Sequence, residues 1–501
     1  MSRPVLIDTL RTALLALGPV RTAFLASIAL SLVAMIGLTA PNNDGMLYVE
    51  TALAFKQDGL DAARRLFDWL TMPILIAALS SITGLEAQAA GHVLSTLLLA
   101  GCCALLVACT RELFPHAAWP ALAIALALPA LNAYRDYIVR EFGAWFFMLL
   151  AIWWVLRSAH RNRLLPLLAA QASICLAALF RPEYLIFLLA LPLFELFRPH
   201  RASRRVWTAS TALILGLAGL LALWVMEGLA PGSRLATQLT ALDPARIAAD
   251  LREGADVLAR SVLNRHSADE AGSILFFGLL SILPMKYFGS LGVFVLPAAY
   301  AWRAESPSVL WQRWRLFAWC FLLYTLVLLV FLFNTFFLTS RYVALLVILT
   351  APLAAVGLHG LMRRSPAWRY ACLVVIALLA LSNVVSTSPP KTSYVDGARW
   401  IGERALPAGR IYFEERTVSY LAGLGYKRRP NAEIRGRSRA AQAAREGRID
   451  YLVLSERADQ GPRTLEWAST RGLVLEAEFI DRRDHAIRIF RRADVPPRRA
   501  R

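Results

Sequence analysis

Long apolar runs alternate with short basic clusters along most of the chain. The runs lie near 21–40, 91–109, 117–131, 142–157, 164–180, 183–197, 206–226, 286–302, 315–333, 341–361 and 369–387, close to the roughly 20 apolar residues a bilayer-crossing helix requires. They are continuous rather than alternating, which excludes an outer-membrane barrel. Four clusters, Arg157/Arg161/Arg163, Arg198/Arg201/Arg204/Arg205, Arg303/Arg313/Arg315 and Arg363/Arg364/Arg369, fall at alternate turns of this path. The positive-inside rule then places all four in the cytoplasm, with the N-terminus inside and the tail outside. Three polar segments, 41–90, 227–272 and 388–501, become extracytoplasmic. The run 271–302 is interrupted by Pro284, Lys286 and Gly289. Because a lysine at the bilayer centre costs about 2.5–3.5 kcal/mol, the pattern predicts an interfacial or re-entrant stretch to about 285, then a span.

Beyond Pro389-Pro390 the periodicity changes. A helical pattern over 393–406 precedes a short strand at Arg410–Glu414, and Asp450–Ser455 reads as a second strand. Leu473–Ile480 and His485–Phe490 flank a turn and read as a hairpin. Strands alternating with helices predict a small α/β domain. The predicted architecture is a polytopic α-helical membrane protein of about eleven transmembrane helices. Its membrane module is 1–387, with outer loops 41–90 and 227–272, and its soluble extracytoplasmic α/β domain is 388–501.

Composition sharpens this picture. Of 501 residues 57% are hydrophobic and 18% charged, whereas ordinary soluble domains sit near 45–50% and a quarter. A soluble globular chain and a disordered one are both excluded. The formal net charge is +19, and from Lys391 onward 24 basic residues face 15 acidic ones. No aromatic-basic motif or zinc spacing accompanies that charge, so nucleic acid is not an expected partner. Anionic headgroups and phosphate-bearing substrates are the simpler match. All six cysteines fall inside apolar runs without metal-ligand spacing or a readable disulfide framework. Arg3, Arg11 and Arg21 precede the first run, which is read as a retained helix rather than a cleaved signal.

The candidate chemistry gathers at the outer ends of the runs. Asp44 and Tyr48 follow the first run, and an amphipathic stretch through Arg64-Arg65 leads to Pro73-Ile74-Leu75. Asn132–Glu141 packs Tyr134, Arg135, Asp136, Tyr137, Arg140 and Glu141 into one short outer loop. Arg181 and Glu183 mark the next outer turn, and Arg341-Tyr342 opens a later run. Each feature also has a structural reading: a helix-capping Asp44, local ion pairs, a snorkelling arginine with an aromatic anchor.

In their order and common outer side these motifs resemble the GT-C superfamily of polytopic glycosyltransferases, especially the branch of protein O-mannosyltransferases and the aminoarabinose lipid A transferase. The resemblance spans the first run to the tail in layout. Gly45 stands where that branch carries a second acid, and Thr71-Met72-Pro73 stands where it carries Lys-Pro-Pro. The resemblance implies a polyprenyl-phosphate-linked sugar donor, an extracytoplasmic lipid, glycan or protein acceptor, and a bacterial inner-membrane location. It implies Asp44, Asp136 or Glu141 as catalytic carboxylates, with inversion in one displacement. Tyr48, Arg135, Tyr137, Arg140, Arg181, Lys286, Arg341 and Tyr342 become substrate-binding candidates. His266, Arg64 and Arg65 are further cations or donors of the same kind. A divalent cation occurs in some members, but the single acid at this motif does not support one here, and no nucleotide loop is present. The run Lys427-Arg428-Arg429 is expected to attract an anionic acceptor, or else to be a solvated basic turn. A lipid-linked sugar flippase or transporter is the alternative. It would show charges along a transmembrane path and broken helices in paired halves.

Overall fold

The computed structural model describes residues 3–161, 165–196, 243–382 and 391–498, with residues 215, 216, 218, 219, 384 and 385 between them. In chain order the elements used below are α1 (Arg3–Ala34), α2 (Asn43–Leu66), α3 (Thr71–Thr83), α4 (Ala87–Leu113) and α5 (Ala118–Ala127). Next come α6 (Glu141–Arg161), α7 (Leu165–Phe180), α8 (Ala190–Leu196), α9 (Pro244–Ser261), α10 (Ala271–Leu291), α11 (Val295–Ala304), α12 (Pro307–Thr335), α13 (Ser340–Arg364) and α14 (Pro366–Ser382). The tail contains α15 (Thr392–Glu403), β1 (Ile411–Phe413), α16 (Arg416–Leu421), α17 (Arg437–Arg445), β2 (Tyr451–Arg457), α18 (Gly461–Ser469), β3 (Leu473–Ile480) and β4 (His485–Arg492).

The chain divides into two compact units. One comprises Met1–Val33, Ser95–Arg135 and Arg140–Val384; the other comprises Ala34–Leu94, Asp136–Val139 and Val385–Arg501. The first outer loop therefore groups with the tail.

The first unit is helical and apolar. Among the described residues five segments are long and apolar enough to cross a membrane: Ala16–Ala34, Ala87–Leu113, Ala268–Ala304, Pro307–Thr335 and Ser340–Arg364. Shorter apolar helices cover Pro115–Ala127, Leu165–Phe180 and Pro366–Ser382. The expected span 206–226 lies almost wholly outside the described residues. α13 is the unit's buried axis, with every side chain from Val343 to Leu358 buried. α11 packs along it, and Tyr287 of α10 meets Thr350 of α13 in a 2.8 Å hydroxyl–hydroxyl hydrogen bond.

One boundary differs from the sequence expectation. α10 runs unbroken through Pro284 and Lys286 to Leu291, so the interruption falls after Leu291 and not near 285. A proline removes a single helical hydrogen bond, and a long apolar helix tolerates that loss where neighbouring helices restore the freed groups.

The second unit carries the sheet, in order β1-β2-β4-β3. β1 pairs parallel with β2, with Ile411 opposite Tyr451, while β2–β4 and β3–β4 are antiparallel. Alternation sends successive side chains to opposite faces, and both faces are covered. Leu452, Leu454 and Phe490 pack with the alanines of α17, whereas Tyr451, Val453, Ile487 and Ile489 pack with Tyr394, Ala398 and Ile401 of α15. In the first outer loop, α2 buries Met46, Tyr48, Val49 and Ala52, and Lys56 Nζ donates to Ser80 Oγ of α3 at 3.0 Å.

Candidate active site

In the second unit, Asp44 occupies the first turn of α2 and is half-buried. Two residues before it, Asn42 Oδ1 accepts the Ile138 N–H at 2.9 Å. That bond ties the head of α2 to Asp136–Val139, so two of the three candidate carboxylates share one unit. Gly45 sits inside this junction. A Cβ there would lie 2.8 Å from Asn42 Oδ1 and 3.1 Å from the Ile138 Cβ. The absent second acid is thus a packing requirement, since any side chain would push the two loops apart. Asp136 is half-buried, and burial raises its pKa above the ordinary carboxylate value against a backbone hydrogen bond that lowers it. Tyr48 is 3% exposed and stacks obliquely on Phe67, with ring centroids 5.3 Å apart; its ring belongs to the α2 core. Tyr137 is half-buried beside Ile138.

The loop Asn132–Glu141, read from the sequence as one constellation, divides between the units. Arg135 belongs to the first unit and has a different task from the one expected. It is 2% exposed, and its Nη1 donates to Ser27 O and Ser27 Oγ at 2.9 Å and to Ser31 Oγ at 3.2 Å, while Nε donates to Asn132 Oδ1. These bonds fasten the loop to α1, which makes Arg135 a positioning residue rather than a substrate ligand.

Glu141 precedes the apolar run of α6 and is 4% exposed. Its Oε1 receives Arg181 Nη1 at 2.8 Å, and Arg181 Nε donates to Glu183 Oε1 at 2.6 Å. The Arg181 guanidinium also lies over the Tyr342 ring, 4.3 Å from its centroid. Burial raises the Glu141 pKa, but Arg181, then Arg341 and Arg140, outweigh it and hold the group below the usual carboxylate range. This cluster therefore joins Glu141, Arg181 and Tyr342 in contact, with Arg140 and Arg341 close enough to act on the Glu141 charge. Its chemistry is that of an anchored, ionised carboxylate surrounded by cations. Such a group is a poor proton acceptor, because its charge is already stabilised. Lys286 is apart from these in character, exposed on α10.

The sequence reading missed Glu50. It is 9% exposed on the buried stripe of α2, and its carboxylate accepts two tail amides, Lys427 N–H at 2.7 Å and Arg428 N–H at 3.0 Å. The turn it grips needs Gly425, whose φ is +87° and whose added Cβ would lie 2.8 Å from Glu50 Oε1. Lys427 Nζ donates to the Leu66 carbonyl, and Arg428 approaches Asp58 at 3.5 Å. Two members of the basic run are thus engaged with α2. The available signal was Glu50 itself, an acid in register with Met46 and Val49. Among the described residues no group of three or more His, Cys, Asp or Glu side chains is arranged to hold a metal ion.

No protein-family model and no curated protein matches the chain. Among solved structures, the oligosaccharyltransferase of Archaeoglobus fulgidus, determined with zinc and sulfate, superposes with a TM-score of 0.55 at 13% identity, covering 89% of this chain and 69% of that one. The chain has the GT-C fold. The mycobacterial arabinofuranosyltransferase AftD has a TM-score of 0.48 at 15% identity, over 95% of this chain and 40% of that one. ArnT of Cupriavidus metallidurans, in its apo state, has a TM-score of 0.41 at 14% identity, over 95% and 99%.

Proposed function

We propose that this chain is an integral-membrane glycosyltransferase of the bacterial inner membrane, moving a sugar from a polyprenyl-phosphate donor to an extracytoplasmic lipid, glycan or protein acceptor. The tail domain is extracytoplasmic in this reading. The observation that carries it, beside the GT-C fold, is the Asn42–Ile138 tether that places Asp44 and Asp136 in one unit at the head of α2.

In the proposed step an acceptor hydroxyl oxygen attacks the anomeric carbon while the carbon–oxygen bond to the lipid phosphate breaks. The phosphate leaves with the bonding pair, and the hydroxyl proton passes to the Asp44 carboxylate, giving inversion. Developing phosphate charge requires fixed cations, a role that the resemblance gives to Arg341 and Arg140. The resemblance assigns Tyr137 and Tyr342 to the substrate as hydroxyl donors or ring surfaces, and Lys286 as a further cation. Asp136, with its raised pKa, is the second base candidate. Glu141 is instead assigned to anchoring Arg181.

The test compares wild type with Asp44→Asn in purified protein of equal thermal stability, supplied with polyprenyl-phosphate sugars and membrane-extract acceptors. Release of free polyprenyl phosphate is followed. General-base loss is expected to slow release by about 10²–10⁴-fold. Equal rates would move the base to Asp136. Donor binding without release in wild type, together with bilayer translocation of the donor, would replace this reading by transport.

A further inference from the structure

The two ends of α13 carry different chemistry. Arg341 and Tyr342 stand at its start, and about 27 Å further along at the helical rise His359 opens onto a separate cavity. The cavity has a volume of about 440 Å³, inside the range of about 300–1,000 Å³ typical of small-molecule sites. Its polar wall is His116, Tyr300, Glu305, His359 and Arg363, all within the first compact unit.

Packing of three elements brings these side chains together. Gly357 lets α11 lie directly on α13, since a Cβ there would overlap the Pro297 carbonyl oxygen. Three residues on, a Cβ at Gly360 would sit 2.8 Å from the Ala304 Cβ and 3.0 Å from Cε1 of Tyr300, so glycine keeps that ring against α13. The turn between α4 and α5 supplies His116. Arg313 of α12 fixes this turn, donating through Nη1 to the Leu113 carbonyl at 2.9 Å with its guanidinium 5.6 Å from the Phe114 ring centroid. The His116 and His359 ring centroids are then 4.8 Å apart, and Arg363 follows His359 by one turn on the same face of α13.

The one acid on this wall among the described residues, Glu305, is engaged by His116, with Nε2 3.3 Å from Oε1. A guanidinium, two imidazoles and a phenol remain as hydrogen-bond donors on one concave surface. No group of three or more His, Cys, Asp or Glu side chains is arranged for a metal ion among the described residues, whereas a guanidinium fork matches phosphate oxygens. The level of the cavity points to lipid. α11 and α13 belong to segments long and apolar enough to cross a membrane, and both end beside it. Trp302 and Trp368 are exposed near the same helix ends. Interfacial aromatics and basic pockets between helix ends are where phospholipid headgroups sit.

We propose that this cavity binds a phosphate ester, the headgroup of a phospholipid being the source its level favours. Arg363 and His359 hold the phosphate oxygens, Tyr300 donates its hydroxyl, and Glu305 orients His116. In the orientation proposed above this end faces the cytoplasm, opposite the transfer site. A soluble phosphate ester carries the same group, and the experiment separates the two sources.

Isothermal titration calorimetry of the delipidated full chain in phosphate-free detergent buffer uses two probes. One is dihexanoyl phosphatidylglycerol; the other is glycerophosphoglycerol, the same phosphodiester headgroup without acyl chains. Wild type is expected to bind at one saturable site. Arg363→Gln should weaken binding about tenfold and His359→Gln/Arg363→Gln about a hundredfold, since each substitution removes a charge-assisted contact. Arg363 is exposed, so the single variant remains informative if the double one misfolds. Arg364→Gln removes the same charge from the next residue, which is exposed but not on the cavity wall, and should stay within twofold. Binding of the lipid more than tenfold tighter than the headgroup assigns the site to phospholipid, and equal affinity assigns it to soluble phosphate esters. Unchanged affinity in Arg363→Gln, an equal loss in Arg364→Gln, or no saturable binding of either probe to wild type would overturn the proposal. None of these outcomes touches the turnover measured with Asp44→Asn.

Discussion

Two sets of arginines in the same small domain are in opposite condition. Arg437 and Arg488 are saturated. Arg437 donates to both oxygens of Glu414 at 2.8 and 2.9 Å and to Glu456 at 2.7 Å. Arg488, 2% exposed, bonds Glu456 and reaches Glu478 at 2.6 Å. Thr464 Oγ1 completes the Glu456 shell at 2.6 Å. Arg416 and Arg429 make no ion pair among the described residues, and the Arg416 guanidinium lies instead over the Tyr426 ring, 5.6 Å from its centroid. The difference teaches that a basic domain is not uniform: cations at the sheet are spent on buried carboxylates and hold the fold, whereas others stand at the surface without that task.

The largest expected effect lies on the saturated side. Glu456→Gln leaves Arg437 and Arg488 sharing fewer charges in a buried place, which costs about 3 kcal/mol. Hydrogen exchange of the β2 and β4 amides in the full chain should accelerate accordingly. Arg416→Gln should shift the same amides by no more than about 0.5 kcal/mol, and an equal shift would erase the contrast. Next comes the clamp. Glu50→Ala removes two hydrogen bonds to a charged acceptor, about 2 kcal/mol of local stability. The amides of Lys427 and Arg428 should then exchange faster while the sheet amides hold; Gly425→Ala should reproduce this through steric conflict.

The smallest effect is one of pH. Burial raises the Glu456 pKa, but Thr464, Arg437 and Arg488 carry it below its unfolded value. For Asp450 the Arg410 hydrogen bonds lead in the same direction, against burial. A carboxylate with a depressed folded pKa stabilises fully above its unfolded value, near 4.3 for Glu and 3.9 for Asp. It loses that contribution as pH falls through the folded value. Thermal unfolding of the tail should therefore be flat from about pH 7 to 5 and fall below about pH 4. A decline beginning near pH 6 would implicate other groups.

Much of the fold was legible because it rests on local periodicity. The strand read at Asp450–Ser455 is β2, Tyr451–Arg457, and the hairpin read at 473–490 is β3–β4. Apolar run length likewise located α4, α12 and α13. The site was less legible, because its decisive contacts join distant positions. Arg135 meets Ser27 across 108 residues, and Lys427 meets Glu50 across 377. Nothing local distinguishes an arginine bonded to a helix, such as Arg135, from one left at the surface, such as Arg416. Nor does a loop as short as Asn132–Glu141 announce that it is shared between two compact units. Gly45 was visible as a departure from the acidic pair, but its reason, contact with Ile138, is tertiary.

β1 and β2 lie side by side and parallel, so the chain must leave one and return to the other by a long crossover. That crossover, residues 414–450, contains α16, the Glu50-gripped turn and α17, while the hairpin that completes the sheet lies wholly after it. Inheritance can therefore treat this stretch as a cassette. Glu414 at its start and Arg437 within it preserve the frame, so 415–436 can be grafted between chains of this fold without altering the register of the sheet.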